Sequence, residues 1–358
     1  MSYKVVKIHR DDNFDICELY EKAFGQPMCE FNSSEIYLWF YFENLFEKNY
    51  SRVLTNGKVN LSYWGFIPID CKINDRIHKG SMSFQLVSTP ETLGATLLLW
   101  KEIKKDIIND DVVINYTINN ENSCLLLKNL GWKVENTPIL INVNHPFKLL
   151  YDFIGIKISN RIINKIIKKM LLSLDYISSK FVSLLHDKSE NVITVNCFDE
   201  HYNDLLDIMN KSIIYGVNLD DKYMNWRYID KPNNTYKILS YLDGDKIMGY
   251  IIYNIKREFG TQIGYIMDII ADPNQKNIIN TLIQCAKKEL YQEKVTIVSA
   301  LSFKGNIFYK NLKSSGFFNV PKKLLPRKSY FSIYNFIKSE NDFEVNKWHI
   351  SWGNHDNA

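Results

Sequence analysis

The sequence predicts an α/β (α+β) protein with two tandem copies of one fold, each a mixed, mostly antiparallel sheet flanked by helices. Strand-like segments, in which apolar and polar residues alternate, are followed along the chain by segments of helical periodicity, and this order repeats. Three pairs of landmark residues also recur at nearly the same separation: Trp39 and Trp226, Gly57 and Gly244, Gly131 and Gly316. A long internal repeat is typical of tandem domains. Coincidence among common residue types is the alternative.

We therefore predict an N-terminal domain over residues 1–143, a helical connector over 144–191 and a C-terminal domain over 192–358. In the first copy, a strand (3–8) precedes a helix that ends at Gly25 and a second, aromatic-rich helix (36–46). The dipeptide Asn56-Gly57 marks a hairpin between the strands 53–54 and 59–67. A central strand, a helix (95–108), a strand (112–117), a short helix (123–130) and a strand ending near Val143 follow.

The composition indicates a folded, cytoplasmic protein. Of the 358 residues, 46% are hydrophobic and 23% are charged, which suffices for two domains with ordinary cores. The formal net charge of +4 argues against nucleic acid as a partner. The six cysteines are scattered without C-x-x-C pairs or Cys/His clusters, so we expect free thiols and no metal. Without an apolar signal core or a run of about 18 apolar residues, stable membrane insertion is not expected.

The stretch SMSFQLVSTPETLGAT, from Ser81 to Thr96, is expected to hold the main binding site. Apolar residues mark a strand, Pro90 ends it, and Gly94-Ala95 opens a helix that continues with LLLW. The first N–H groups of a helix have no intrahelical partner, and the helix dipole adds positive potential there. This end therefore suits a phosphate or pyrophosphate. A plain structural turn is the alternative.

The second copy differs at the equivalent point. After its strand at 263–270 it has DPNQKNIIN, with no glycine or alanine at the start of the helix. A bulky side chain there narrows the space into which a pyrophosphate must fit. The second copy is therefore predicted to have lost this ligand.

The connector between the copies is predicted to contain an amphipathic helix. Isoleucines recur at helical spacing with basic residues between them: Ile158, Ile162, Ile163, Ile166 and Ile167, with Arg161, Lys165, Lys168 and Lys169. An apolar stripe of this kind normally faces a protein core, so we expect it to pack on the two domains. A helix that lies on a membrane surface is the alternative.

The loop before Gly94 and the segment NNENS…LLLKNLGW, from Asn119 to Trp132, together resemble the GNAT acyltransferase superfamily in its tandem form. The resemblance implies that backbone amides at the end of the central strand hold the pyrophosphate of acyl-CoA and bind the oxyanion. It assigns these cofactor-binding residues: Leu86, Val87, Ser88, Glu91, Thr92, Leu93, Gly94, Ala95, Thr96, Asn120 and Ser123. Leu127 stands where the family often has a tyrosine that protonates the leaving thiolate.

The motifs KYMNWRY in the second copy and WHISWGNHD near the last residue resemble bacterial N-acyltransferases that modify amino sugars for surface glycans, as in anthrose biosynthesis. The resemblance implies direct acyl transfer from acyl-CoA to the amine of a nucleotide sugar of the dTDP-4-amino-4,6-dideoxyglucose type. Tyr223, Trp226 and Arg227 are the candidates for binding it, because aromatic faces and a guanidinium suit a base and a diphosphate. For Trp226, packing against its own sheet is the alternative.

Three residues are candidates for catalysis. Asp268 is an acid inside the apolar strand YIMDII, Ser83 lies on the central strand of the first copy, and His355 follows two tryptophans of the last segment. A buried carboxyl needs a hydrogen-bond partner or a chemical role. A structural role is the alternative for Asp268, and core packing is the alternative for Ser83. A sugar amine is already partly neutral near neutral pH, so a strong general base is not required.

Two other functions stay open. The same fold could act on another amine, such as an aminoacyl or peptidoglycan precursor, and would then show no affinity for dTDP. Alternatively, both copies could be degenerate, and the chain could be a non-catalytic scaffold that contacts membranes through the basic helix around Lys165. Such a scaffold would bind no CoA.

Overall fold

The computed structural model describes residues 3–12, 16–25, 34–90, 92, 94–155, 161–184, 190–336 and 344–355. These residues form two mixed sheets flanked by helices. One hydrophobic core contains side chains from both sheets, because it includes Met82 of the first and Ile266 of the second. The predicted α/β class with mostly antiparallel sheets is confirmed.

The first half follows the predicted order of elements, except that the strand predicted to end near Val143 is two strands. The elements are β1 (Lys4–Lys7), α1 (Ile16–Phe24), α2 (Ser34–Tyr41), β2 (Arg52–Thr55), β3 (Asn60–Ile73), β4 (Arg76–Ser88), α3 (Ala95–Asn109), β5 (Ile114–Asn120), α4 (Glu121–Asn129), β6 (Lys133–Asn136) and β7 (Ile139–Val143). The antiparallel hairpin of β2 and β3 turns at Asn56-Gly57, where Gly57 has a φ of 86°. This conformation is why the dipeptide signals a turn.

Two connecting helices, α5 (Pro146–Gly155) and α6 (Arg161–Leu184), lead to the second half. Its elements are β8 (Val192–Thr194), α7 (His201–Asn210), β9 (Tyr215–Val217), α8 (Asp221–Tyr228), β10 (Lys237–Asp243), β11 (Lys246–Glu258), β12 (Thr261–Ala271), α9 (Lys276–Gln292), β13 (Ile297–Leu301), α10 (Tyr309–Ser314), β14 (Phe318–Asn319) and β15 (Ser329–Asn335). Apart from β9, they repeat the first half element by element. The predicted tandem fold is confirmed.

The two sheets exchange strands. The first sheet has the order β1-β2-β3-β4-β5-β15-β6, so β15 from the second half lies between β5 and β6, and β9 also pairs with β3. The second sheet has the order β14-β7-β13-β12-β11-β10-β8, so β7 from the first half lies between β13 and β14. Each sheet is therefore built from both halves of the chain. The domain limits at residues 143 and 192 stay predictions.

Equivalent tryptophans of the two halves meet in the shared core. Trp39 of α2 and Trp226 of α8 stack with their ring centroids 4.9 Å apart. Trp226 thus packs on its counterpart as well as inside its own half. A large aromatic ring buries most apolar area when both of its faces are covered. A second core, beneath α3 and α4, contains Trp64, Trp100 and Trp132.

The connecting helix α6 does not pack as the sequence predicts. It contacts α5, and Leu171 is buried at 5% exposure, but Ile162, Ile163 and Ile166 are 72%, 49% and 63% exposed. The expectation that this apolar stripe packs on the two domains is wrong for these three residues, because the strand exchange already closes the core without them. Across the described ranges, no helix has both the length and the apolar character that crossing a membrane requires.

Candidate active site

Strands β4 and β5 stop pairing at the centre of the first sheet and leave a gap between them, the first cleft. They run parallel and pair at three positions: Gly80 with Ile114, Ser81 with Asn115, and Met82 with Tyr116. Beyond Met82 and Tyr116 they continue to Ser88 and Asn120 without pairing to each other. Among the described strands, none fills this gap. The facing backbone edges can therefore bind an extended ligand, as open strand edges do.

A bulge at Gln85 reshapes β4 beside this cleft. Gln85 has a φ of 53°, and the pairing of β4 with β3 shifts register at this point. Its buried side-chain oxygen accepts a hydrogen bond from the hydroxyl of Tyr41. A bulge leaves its extra residue out of the ladder and re-aims the neighbouring peptide groups. The backbone near Leu86 therefore lies outside the regular ladder with β3.

The loop after β4 leads to an open helix N-terminus. Gly94 precedes α3 with a φ of 92°, and none of the described side chains caps the helix. A Cβ added to Gly94 would meet no atom within 4 Å, so the space before the helix is open. The hydroxyl of Thr92 donates to the carbonyl of Thr89 at 2.9 Å and fixes the turn. Glu91 and Leu93 lie outside the described residues. Four predicted cofactor residues meet here: Thr92, Gly94, Ala95 and Thr96.

Ser83 of β4 faces the aromatic core beneath α3. Its side chain is 3% exposed, and its hydroxyl accepts a hydrogen bond of 2.8 Å from the indole N–H of Trp64. Farther along the strand, Val87 is buried and the hydroxyl of Ser88 lies 2.6 Å from that of Ser62. The predicted residues of β4 therefore lie along one wall of the cleft, and Ser83 supports that wall from its core side.

Asn120 ends β5 and caps α4 on the opposite wall. Its side-chain oxygen accepts hydrogen bonds from the backbone N–H of Ser123 at 3.2 Å and from the Ser123 hydroxyl at 3.4 Å. An asparagine at this position satisfies an otherwise unpaired N–H group of the first helical turn. Leu127 on the same helix is 2% exposed in the aromatic core, and its side chain has no proton to give.

In the second half, the C-terminal segment (residues 344–355) fills the equivalent cleft. The parallel pairing of β12 and β13 reaches Tyr265 and Ser299. Next to this last pair, the indole N–H of Trp352 donates to the Ser299 hydroxyl at 3.1 Å, and its ring meets that of Tyr265 edge-on at 5.1 Å. Gly353 then packs against Asp268 farther along β12. The loss of the pyrophosphate ligand from the second copy stays a prediction.

Asp268 is the centre of a buried polar cluster. Its side chain is 2% exposed and accepts a hydrogen bond from the hydroxyl of Tyr228. Burial raises the pKa of Asp268 to about 6, although Ser351, Tyr228 and Arg227 act in the opposite direction. A carboxyl with such a pKa takes up and releases protons near neutral pH. Within the described ranges, no group of three or more His, Cys, Asp or Glu side chains is arranged to hold a metal ion.

Arg227 holds the C-terminal segment against α8. Its Nε donates to the carbonyl of Gly353 at 3.3 Å, and its Nη2 donates to the carbonyl of His355 at 2.7 Å. The remaining Nη1 donates to the hydroxyl of Tyr236 at 3.2 Å. The guanidinium is 1% exposed. The structure thus brings together three residues that the sequence singled out separately, Arg227, Asp268 and His355.

This cluster lies against the base of the first cleft. Tyr116 is the last residue of β5 that pairs with β4, and its hydroxyl donates to the sulfur of Met82 at 3.2 Å. Burial raises the pKa of Tyr116 well above its usual value, and Tyr223 and Asp268 raise it further. The ring of Tyr116 lies 5.3 Å from that of Trp348 in the C-terminal segment. Tyr223 and Trp226, which are 2% and 5% exposed, belong to the same hydrophobic core as Tyr116.

Sequence reasoning missed two features of the site. The bulge at Gln85 had a signal, since the apolar alternation that begins at Met82 changes phase at Val87, as a one-residue insertion requires. The contact of Gly353 with Asp268 had none, because no local pattern links residues so far apart in the chain.

Replacing Asp268 with asparagine is expected to change the pH dependence of stability. The pKa of about 6 in the folded protein exceeds the ordinary 3.8, so the folded state binds this proton more tightly than the unfolded state. The carboxyl therefore adds stability as the pH falls from about 7 to about 4, on the order of 3 kcal/mol in total. Urea unfolding of both proteins at about pH 7.5 and about pH 4.5 measures this. An equal difference at both pH values would contradict the assignment.

The sequence matches no protein-family model and no curated protein, but solved structures share its fold. N-myristoyltransferase of Saccharomyces cerevisiae with bound myristoyl-CoA is similar with a TM-score of 0.60 and 11% identity, over 97% of this chain and 83% of that one. A probable N-acyltransferase of Enterococcus faecalis gives a TM-score of 0.58 and 12% identity, over 94% and 73%. A GCN5-related N-acetyltransferase of Anabaena variabilis gives 0.57 and 12%, over 92% and 72%.

These neighbours match nearly the whole described architecture, including both halves. At such low identity, the likeness concerns the fold and leaves substrates open. The chain therefore shares the two-domain fold of these three solved structures.

Proposed function

We propose that the protein is an acyl-CoA-dependent N-acyltransferase that passes the acyl group directly to an amine. The observation that carries this proposal is the cleft between β4 and β5, which has the bulge at Gln85 on one wall and is followed by the open N-terminus of α3 at Gly94. A ligand with an extended arm and a pyrophosphate uses both features at once. Because the C-terminal segment occupies the second cleft, one acyl-CoA binds per chain.

In this proposal different parts of acyl-CoA contact different residues along the cleft. The pyrophosphate lies on the backbone N–H groups at the start of α3, in the loop formed by Glu91, Thr92, Leu93, Gly94, Ala95 and Thr96. The arm passes between β4 and the turn at Asn120 and Ser123. A backbone N–H at Leu86, Val87 or Ser88 donates to the thioester oxygen as it becomes negative in the transition state, which is where such a donor acts most strongly.

The transfer itself needs little chemistry from the protein. The neutral amine attacks the thioester carbon, the C–N bond forms, the C–S bond breaks, and the thiolate takes a proton from water. Asp268, with its pKa raised to about 6 by burial, accepts the proton that the amine loses. His355, on the adjoining segment, helps to build the site. Ser83 keeps the β4 wall in place through Trp64. Positioning of the two reactants supplies most of the rate enhancement.

For the acceptor we propose the amine of a nucleotide-linked amino sugar of the dTDP-4-amino-4,6-dideoxyglucose type. Its support is the sequence resemblance and the aromatic and cationic character of α8. Since Tyr223, Trp226 and Arg227 are buried, they shape the acceptor site from within and hold the C-terminal segment that borders it. An aminoacyl or peptidoglycan precursor is the competing acceptor.

Calorimetric titration of the protein with CoA, then with dTDP, and then with both tests the proposal. We expect CoA to bind with a stoichiometry of one and dTDP to bind whether or not CoA is present. Release of free thiol from acetyl-CoA and from longer acyl-CoAs, with the amino sugar as acceptor, then measures transfer.

The outcomes separate the parts of the proposal. CoA binding without dTDP binding would overturn the proposal of a nucleotide-sugar acceptor. The proposal of an acyl-CoA-dependent acyltransferase would still stand. Absence of any heat or melting shift with CoA would overturn the catalytic proposal itself.

A further inference from the structure

Helix α6 exposes a continuous apolar face to solvent. Six of the described apolar side chains of α6 are exposed, and five of them lie on one side: Ile162 72%, Ile163 49%, Ile166 63%, Met170 56% and Leu174 39%. With 3.6 residues per turn, these five fall within about one third of the helix circumference. Ile167 and Leu171, on the neighbouring edge, are the more buried residues. A single exposed apolar side chain is ordinary, but a row of five indicates an interaction surface.

Basic side chains occupy the other side of the same helix. Lys165, Lys168 and Lys169 are exposed, and Lys169 falls at the border of the apolar face. The ammonium group of Lys168 lies 5.2 Å above the ring of Tyr151 on α5. Residues 162–174 include no aspartate or glutamate. The helix therefore has an apolar face on one side and exposed lysines on the other, where Leu172 is also 40% exposed.

The helix pair is fixed to the body of the protein at one end. His145, just before α5, stacks on Tyr291 with the ring centroids 4.2 Å apart. Lys148 donates from its Nζ to the carbonyl of Lys294 at 2.8 Å. Whatever binds α6 is thereby held next to the second half.

We propose that this face of α6 docks on an anionic phospholipid bilayer, with the helix axis in the plane of the membrane surface. The apolar side chains enter the boundary between headgroups and acyl chains, and the lysines contact the anionic headgroups, which is how amphipathic basic helices bind membranes. The protein acts on its substrates while it is attached to the membrane surface.

The charge pattern favours a lipid surface over a second copy of the chain. Two copies of α6 packed on each other would bring their lysines close together, and like charges at an interface cost affinity. A fluid anionic surface instead offers a counter-charge at every position along the helix.

Sedimentation with vesicles tests the proposal. We expect the protein to bind vesicles of phosphatidylcholine with phosphatidylglycerol and not vesicles of phosphatidylcholine alone, with affinity that falls as salt rises because surface charges are screened. The double substitution Ile163→Glu and Met170→Glu should weaken binding about tenfold or more. The double substitution Lys165→Gln and Lys169→Gln should weaken it about thirtyfold.

Matched controls lie elsewhere on the surface. Leu125 on α4 and Leu324 are 68% and 73% exposed, so replacing both with glutamate places the same two charges on apolar surface residues outside α6. Lys322 and Lys323 are exposed, so replacing both with glutamine removes the same charge as the α6 pair. Both controls should bind vesicles like the unchanged protein, and the melting temperature of each variant verifies folding.

Three results would overturn the proposal. The first is failure of the unchanged protein to bind anionic vesicles. The second is equal loss of binding in the control and α6 variants. The third is light scattering that shows a dimer which the substitutions Ile163→Glu and Met170→Glu convert to a monomer, since the face would then belong to a second copy.

Discussion

Replacing Gly94 with tryptophan is expected to weaken CoA binding about a hundredfold or more. Gly94 has a φ of 92°, which other residues adopt only with strain, and the space around it is open. An indole there would occupy the approach to the N-terminus of α3 and displace the pyrophosphate from the backbone donors. Loss of two charge-assisted hydrogen bonds accounts for an effect of this size. Calorimetric titration with CoA measures it.

Gly57 provides a matched control for this substitution. It has a φ of 86°, also faces open space, and lies in the turn between β2 and β3. Gly57→Trp therefore introduces the same bulk and a similar strain away from the loop at Gly94, and CoA affinity should not change. If both variants lose CoA binding equally, the loss comes from destabilisation and the assignment of the pyrophosphate site is wrong.

Replacing Gly353 with alanine is expected to destabilise the protein by about 3 kcal/mol and to lower the rate of acyl transfer more than tenfold. The added Cβ would overlap the Tyr228 hydroxyl and the Asp268 carboxylate, and overpacking of this kind costs free energy. The C-terminal segment must then move, which breaks the bonds from Arg227 to the carbonyls of Gly353 and His355. Urea unfolding and steady-state kinetics measure the two effects.

Gly305→Ala is the control, because a Cβ at Gly305 would meet no atom within 4 Å and its φ is not left-handed. It should leave stability and rate unchanged. CoA affinity should also survive Gly353→Ala, since the loop at Gly94 belongs to the other half of the repeat. Wild-type stability and activity of Gly353→Ala would show that the contact with Asp268 has no role.

The features that the sequence predicts correctly depend on local interactions. Asn56-Gly57 produced a turn, and Gly94-Ala95 opened a helix, because each residue contacts atoms only a few positions away. The repeat was visible because equivalent turns need glycine at equivalent positions. The apolar context of Asp268 likewise predicted its burial.

The features that escaped prediction depend on contacts between distant segments. The apolar spacing in α6 correctly indicated a helix. Whether its apolar face is buried depends on whether the rest of the protein has an apolar surface for it to pack on. The fold as a whole determines where the C-terminal segment packs beside Ser299 and which residue bonds to Asp268. No periodicity in either segment reports such a pairing.

The exchange of β7 and β15 also constrains the order in which the chain can fold during synthesis. In the described part of the chain, β6 pairs with β15 alone, so Lys133–Asn136 has no strand partner until Ser329–Asn335 has been made. At typical rates of translation this delay is roughly 10 to 40 s. During that time the edge of β5 has unpaired backbone groups, which can bond to another chain instead of β15. A truncation before β15 would therefore damage the sheet that holds the first cleft, although it removes only residues of the second half.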